Sequence, residues 1–471
     1  MVQIDNSKEE LLKLLKIHNI EVPKNKMDLV DSFIGNEENK SIIHSVVSNT
    51  NNLMSKWNLQ NRIAEITAQP VRIPNGTIGK PYDAKLDFEK LGWKDVIKYE
   101  FEGLNEIGLS FDKEQAHITG SPLKDGDLKI NFKFKVEGQA DADDYSIKVI
   151  KLIVNPDPKS LWKQVESDKN DPFWKVDNLT VFDKVGDKHI VVSSKRGRSH
   201  ANVGSFREDD FAFSDLSNGW SIVAVSDGAG SAKVSRKGSE IACNGIVEYF
   251  KSEQSKKNLI DFDALVAEYN SSEAAETENK LNHFVYNTLG KAALSVHKKL
   301  EEFASKNALT LKDLSSTLIF TLFKKYSTGY AFLSFGVGDC PMAIINKEKT
   351  EVQLLNWIDV GEYGGGTRFI TMPEIFTNEK FATRFSFKQI EDFSYLILMS
   401  DGIYDPKFVV ENNLVDIKNW QAFLEDLGGK NAENNKVVFD ANNKDIATEL
   451  SYWMDFWSVG NHDDRTLAII F

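Results

Sequence analysis

Five short stretches place carboxylates just beyond apolar runs: Glu208-Asp209, Asp227-Gly228, Gly338-Asp339, Ser400-Asp401-Gly402 and Asp463-Asp464. One Asp-Gly pair alone is ordinarily a turn former. Several carboxylates gathered from different strands are another matter, because like charges raise one another's pKa unless cations compensate. Only two cysteines, Cys243 and Cys340, occur, far apart and in no C-x-x-C spacing, so both read as small core residues and a thiolate site is excluded. Hard oxygen donors without clustered His point to magnesium or manganese rather than zinc. Two such cations would lower the pKa of a water and neutralise charge on a phosphoryl group during in-line attack, with no protein nucleophile required.

The elements that must hold these residues are legible around them. The runs HIVVSS, DFAFSDL and WSIVAVSDG precede helical patterns near Ser239 to Phe250 and Leu281 to Phe303. The strands STLIFTLF, YAFLSFGVGD, MAIIN, VQLLNW, FSYLILMSDG and RTLAIIF follow. Strands and helices are grouped rather than strictly alternating. The expectation is an α/β sandwich of two mostly antiparallel sheets flanked by helices, over residues 188–471.

In order and spacing, FREDDF, VSDGAGSAKVS, SST, GVGDC, LMSDGIYD and DDRTLAII resemble the metal-dependent protein serine/threonine phosphatases of type 2C, from about Ile190 to Phe471. SSKRGRSHA before the first acidic pair and DGAGSAK after the second are closest to a bacterial branch. The resemblance implies hydrolysis of phosphoserine or phosphothreonine through a binuclear Mn or Mg centre and metal-bound water. It makes Asp227, Asp401 and Asp463 the catalytic acids. Asp227 would bridge the two ions, the Gly228 carbonyl would bind one, and Asp401 and Asp463 would complete the other. Glu208 and Asp209 would hold metal-bound waters, and Asp339 with Asp401 would take a weaker third ion. The implied partners are a phosphorylated protein and a cognate serine/threonine kinase. A catalytically weak module that binds a phosphoprotein or kinase as a signalling scaffold is the alternative.

Two departures from the family pattern matter. The family's phosphate-binding arginine falls at Gly204, and its proposed general-acid histidine falls at Ala229. Arg196, Arg198, Arg207 and His200 are the candidates to contact phosphate instead, a guanidinium because it pairs bidentately with phosphate. His462 reads as a solvated neighbour of Asp463. Gly361 to Phe369 is glycine-rich without a phosphate-loop lysine and reads as a mobile flap.

Ahead of this region, residues 1–69 read as a small helical region: two short helices within 5–34, loosely resembling the SAP-type nucleic-acid-binding fold, then a helix from Ile42 to Ile66. Residues 1–70 hold 8 basic and 9 acidic side chains, so the electrostatic term of nucleic-acid binding is missing. Residues 70–155 carry short β runs (VRI, YDAKLDF, IKYEF, KINFKFKV, YSIKVIKLIV) and resemble the immunoglobulin-like β-sandwich modules of bacterial proteins. Residues 156–187, with three prolines, read as a linker, part of which Trp162 and Trp174 would pack on a neighbour.

The 471 residues therefore predict a multidomain chain. Against 70 acidic side chains there are 57 Lys and Arg, a net charge of −13, which argues against nonspecific nucleic-acid binding. No apolar run reaches a membrane-spanning length, and the first thirty residues lack a secretion signal's apolar stretch, so a cytoplasmic location is expected.

Overall fold

The computed structural model describes residues 6–272, 275–359 and 366–471. It forms two compact units, Met1–Leu161 and Trp162–Phe471.

The first unit opens with helices α1 (Ser7–Ile17), α2 (Met27–Ile34) and α3 (Glu37–Ala68). Leu11, Val30 and Ile43, one from each helix, make their shared core. Asn36 caps α3, its side chain accepting from the Glu38 and Asn39 amides. At the other end Lys148 Nζ donates to the Ile66 and Thr67 carbonyls at 2.8 and 3.1 Å, satisfying orphaned acceptors of the last turn.

Seven strands follow: β1 (Gly76–Thr77), β2 (Tyr82–Lys85), β3 (Val96–Glu102), β4 (Leu109–Asp112), β5 (His117–Gly120), β6 (Gly126–Val136) and β7 (Ser146–Asn155). They form a four-stranded sheet, β1-β7-β6-β3, and a three-stranded one, β2-β5-β4, around Trp93, Ile118, Phe132 and Phe134. Val71–Ile73, expected as a strand, is not one. Pro70 and Pro74 bracket it, and proline cannot donate to a ladder.

The second unit has strands β8 (Asn178–Val185), β9 (Lys188–Lys195), β10 (Asp210–Asp215), β11 (Ser221–Ser226), β12 (Leu318–Tyr326), β13 (Gly329–Val337), β14 (Met342–Asn346), β15 (Val352–Leu354), β16 (Phe385–Ile390), β17 (Phe393–Met399) and β18 (Arg465–Ile470). Its helices are α4 (Arg198–Val203), α5 (Ser235–Lys251), α6 (Glu253–Ser272), α7 (Ala275–Lys306), α8 (Asp401–Phe408), α9 (Ile417–Leu427) and α10 (Ile446–Trp453). One sheet runs β10-β11-β12-β13-β16 and the other β15-β14-β17-β18-β9-β8, every pair antiparallel.

Between the sheets lies a core of Val192, Val225, Phe332, Met342, Leu396 and Ile470. The outer face of the five-stranded sheet packs on α5, α6 and α7, and that of the six-stranded sheet on α8, α9 and α10. The result is a four-layer helix-sheet-sheet-helix sandwich, in line with the expected class.

The segment expected as a linker is partly structural. It contains β8, which pairs with β9 from Val185↔Lys188 to Asn178↔Lys195, so the sheet begins ahead of residue 188. Trp174 Nε1 donates to Ser167 Oγ at 3.1 Å, and the Trp162 ring packs on His462 at 4.4 Å between centroids. Among the described residues no helix is long and apolar enough to cross a membrane.

Candidate metal centre

Antiparallel pairing brings the acidic stretches to one end of the sandwich. Asp210 pairs with Ser226, which sets Glu208 and Asp209, just before β10, beside Asp227, just after β11. Asp339 follows β13, Asp401 opens α8 after β17, and Asp463 precedes β18. Ligand atoms of Asp227, Asp339 and Cys340 lie within 4.8 Å of one another, as do those of His200, Asp463 and Asp464.

Hydrogen bonds anchor the segments that carry Asp227, Asp339 and Asp209. The Asp227 amide donates to Thr317 Oγ1 at 2.8 Å, while the Thr317 amide donates to the Asp227 carbonyl at 2.8 Å. Gly338 donates to Asp359 Oδ2 at 2.9 Å, and Arg384 grips Asp359 through both carboxylate oxygens at 2.6 and 3.0 Å. That pair fixes the turn presenting Asp339, whose Oδ2 accepts from Thr367 Oγ1 at 2.6 Å. Lys175, from the segment read as linker, donates to the Asp209 carbonyl at 2.6 Å and Asp210 Oδ2 at 3.1 Å.

Asp464, which sequence reasoning left beside Asp463 without a role, is the hub of this end. Buried, it accepts from the Gly197 amide at 2.6 Å and from His200 Nδ1 at 2.9 Å on Oδ1, and from the Glu208 amide on Oδ2. Close backbone approach here demands glycine, since a Cβ on Gly402 would collide with the Asp464 carbonyl, and one on Gly197 with the Asp463 backbone.

The electrostatics of the cluster are unbalanced. Burial, then the charges of Asp401, Asp209, Asp463 and Asp339, push Asp227 well above the usual carboxylate range. Burial and then Asp463, Asp339 and Asp209 push Asp401 likewise, although a hydrogen bond with Asp227 opposes this. Burial, then Asp464, takes Asp209 up to about 7. Burial also takes Glu208 up to about 7, against the pull of His200.

Three buried carboxylate oxygens of the cluster, Glu208 Oε2, Asp209 Oδ2 and Asp339 Oδ1, have no hydrogen-bond partner among the described residues. Buried acceptors are normally satisfied, and two carboxyls in hydrogen-bond contact must share a proton or a cation. This donor set therefore fits hard divalent cations. Cys340, expected as a plain core residue, is buried but borders the site, its Sγ 3.4 Å from Thr317 Oγ1.

The candidate phosphate contacts separate clearly. Arg196 is buried, bonded to the Ser205 and Val165 carbonyls at 2.8 and 2.9 Å and paired with Asp177 at 3.0 Å. Arg207, 1% exposed, is bonded to the Val176 and Asp209 carbonyls and to Ser194 Oγ. Arg198 donates to the Asp455 and Phe456 carbonyls at 2.5 and 3.0 Å and lies over the Trp457 ring. All three guanidiniums are bonded to the framework.

His200 is the candidate that meets a carboxylate of the acidic end through its side chain. With Nδ1 on Asp464, its Nε2 stands 4.0 Å from Glu208 Oε2. Burial disfavours its charge, but the bond to Asp464 and the charges of Asp464, Glu208 and Asp463 outweigh this and raise it to about 9. His462, expected to be solvated, instead packs between the Trp162 and Trp457 rings at 4.4 and 4.8 Å. Of the segment read as a flap, Gly361 to Gly365 lie outside the described residues.

A carboxylate cluster suited to hard cations, at one end of a four-layer sandwich, defines the class of site. Residues 196–451 match the family model for protein phosphatase 2C, and the chain belongs to that family. Solved structures similar to it include the serine/threonine phosphatase Stp1 from Staphylococcus aureus, 15% identical over 62% of this chain and 96% of that one, with a TM-score of 0.34. The catalytic domain of the serine threonine protein phosphatase PstP in complex with 2 manganese ions is 14% identical over 61% and 97%, with a TM-score of 0.32. The phosphatase domain with a regulatory-domain fragment of SpoIIE from Bacillus subtilis is 12% identical over 96% and 98%, at 0.34. No curated protein sequence matches the chain.

Proposed function

We propose that the chain hydrolyses phosphoserine and phosphothreonine on a protein substrate, with two Mn or Mg ions held by the acidic cluster. The three buried carboxylate oxygens of Glu208, Asp209 and Asp339 without partners among the described residues carry this reading. Asp227, the Gly228 carbonyl, Asp401 and Asp463 are the residues that would hold the ions, with Glu208 and Asp209 holding the surrounding water and Asp339 serving a third, weaker position. Cations in such a site supply Lewis acidity, activating water and neutralising phosphoryl charge.

The chain's own contribution is orientation and one positive charge. Asp464 holds His200 by Nδ1, which leaves Nε2 facing the acidic site. With Asp464 on Nδ1, Nε2 is the ring atom that would donate to a phosphoryl oxygen when it carries a proton. This assigns to His200 the contact that Gly204 and Ala229 do not supply.

The substrate is a phosphorylated protein, and a cognate serine/threonine kinase is the natural source of it. We read the division of the chain as helical region, immunoglobulin-like module, connecting segment and phosphatase domain, working in the cytoplasm. The commitment of Arg196, Arg198 and Arg207 to backbone carbonyls favours one second reading, a catalytically weak module that binds a phosphoprotein or kinase as a scaffold. Phosphate release from phosphoserine and phosphothreonine peptides in Mn or Mg decides between them. Release supports hydrolysis, binding without release supports the scaffold, and neither would reject both.

A further inference from the structure

Helix α3 changes its packing face along its length. Ile43 and Val47 join the cluster of the first two helices, whereas Leu59, Ile63 and Ile66 join the β-module core. A third face belongs to neither. On it Ile42, Val46, Leu53 and Trp57 are 55, 42, 61 and 64% exposed. At 100° per residue these four side chains fall within an arc of ~60°, along ~22 Å of helix. Isolated exposed apolar residues are ordinary, but a row of four large ones on one helix face marks an interaction surface.

The spacing of the row indicates what covers it. Successive intervals are 4, 7 and 4 residues, the same read in either direction. A twofold interface is self-complementary, so that residue i meets j while j meets i. Laid antiparallel on itself, α3 sets Ile42 against Trp57 and Val46 against Leu53, twice each, about a centre between Asn49 and Thr50. Asn49 lies on the same face, where a polar residue can fix register at some cost in affinity. From Ser41 to Gln60 the only Lys, Arg, Asp or Glu is Lys56, so pairing neither buries a charged row nor opposes like charges. An unrelated partner would not require this symmetry.

We propose that α3 is a homodimerisation helix, pairing antiparallel with α3 of a second copy about a twofold axis near Asn49 and Thr50. A single helix crossing is at the small end of protein interfaces, so the dissociation constant belongs in roughly the micromolar range.

Sedimentation equilibrium of the full chain, between about 1 and 100 µM, should show a monomer of 53.2 kDa passing to a dimer. Leu53→Glu and the milder Val46→Asn should each weaken association by about tenfold or more while leaving the melting temperature of the monomer unchanged. Cysteine cross-linking then sets the direction, since native Cys243 and Cys340 are both buried. A mixture of Val46→Cys and Leu53→Cys chains should form a disulfide between unlike chains, whereas Val46→Cys alone should not cross-link. A wild-type chain monomeric throughout that range overturns the proposal, as does association that neither variant weakens. Cross-linking of Val46→Cys to itself, the pattern of a parallel pair, overturns it equally.

Discussion

Asp464 carries more of the site than its neighbour Asp463 in structural terms, because one buried carboxylate accepts from two loop amides, those of Gly197 and Glu208, and from a histidine. Asp464→Asn would turn an NH2 toward one of those three donors. Each donor left unsatisfied costs about 1–3 kcal/mol, so calorimetry should show both lower stability and weaker Mn binding. Arg207→Ala should act on folding rather than on substrate. It removes a donor from the Val176 and Asp209 carbonyls and from Ser194 Oγ, of which the last two keep Lys175 and Thr466, and leaves a cavity, so a loss of about 2–4 kcal/mol is expected with KM for phosphopeptide unchanged in the surviving protein.

The pH response follows from Glu208 and Asp209, both raised to about 7 from ordinary values of 4.5 and 3.8. Groups raised in the fold favour it while protonated. Their contribution is complete below the unfolded values and is lost as pH rises through about 7. Metal-free protein should therefore melt at progressively lower temperature from about pH 4 to about pH 8, and saturating Mn or Mg should remove that decline. A flat profile without metal would mean the carboxylates are not crowded.

At the level of elements, the acidic ends are positioned by segments whose sequences carry no chemistry of their own. Lys175 anchors Asp209 and Asp210, and β8 closes the six-stranded sheet against β9. A fragment starting near Lys159 keeps both and should fold and cleave a small generic phosphoester about as fast as the full chain. One starting at Lys188 loses both and should fail to melt cooperatively by calorimetry.

The apolar strands of the sandwich were legible because buried strands read as continuous hydrophobic runs. The carboxylates were legible as a set because each borders such a run. Helix α6 was not, since its buried Leu259, Phe262 and Val266 are spaced among charged residues whose solvent face dominates the pattern. The prolines of residues 156–187 similarly masked β8. The framework bonds of the arginines were hidden for another reason: a guanidinium in sequence shows its charge but not the carbonyls it meets, and those of Val165, Val176 and Phe456 come from other segments.

For the whole molecule, every candidate ligand lies in the unit Trp162–Phe471, and among the described residues the unit Met1–Leu161 supplies none. Removing the first unit should leave turnover of a small phosphoester intact and reduce the rate on the physiological phosphoprotein, as tethered recognition raises effective substrate concentration. Equal losses on both substrates would show that the first unit supports the phosphatase fold instead of selecting its target. The central claim, that the acidic cluster is a metal-dependent phosphatase site, is tested most directly by titrating Mn into metal-free full-length protein while following phosphopeptide hydrolysis. Saturable binding of about two ions per chain, with hydrolysis rising in step and both lost in Asp227→Asn and Asp401→Asn, is the predicted result. Hydrolysis without added cation, or full activity in both variants, would contradict it.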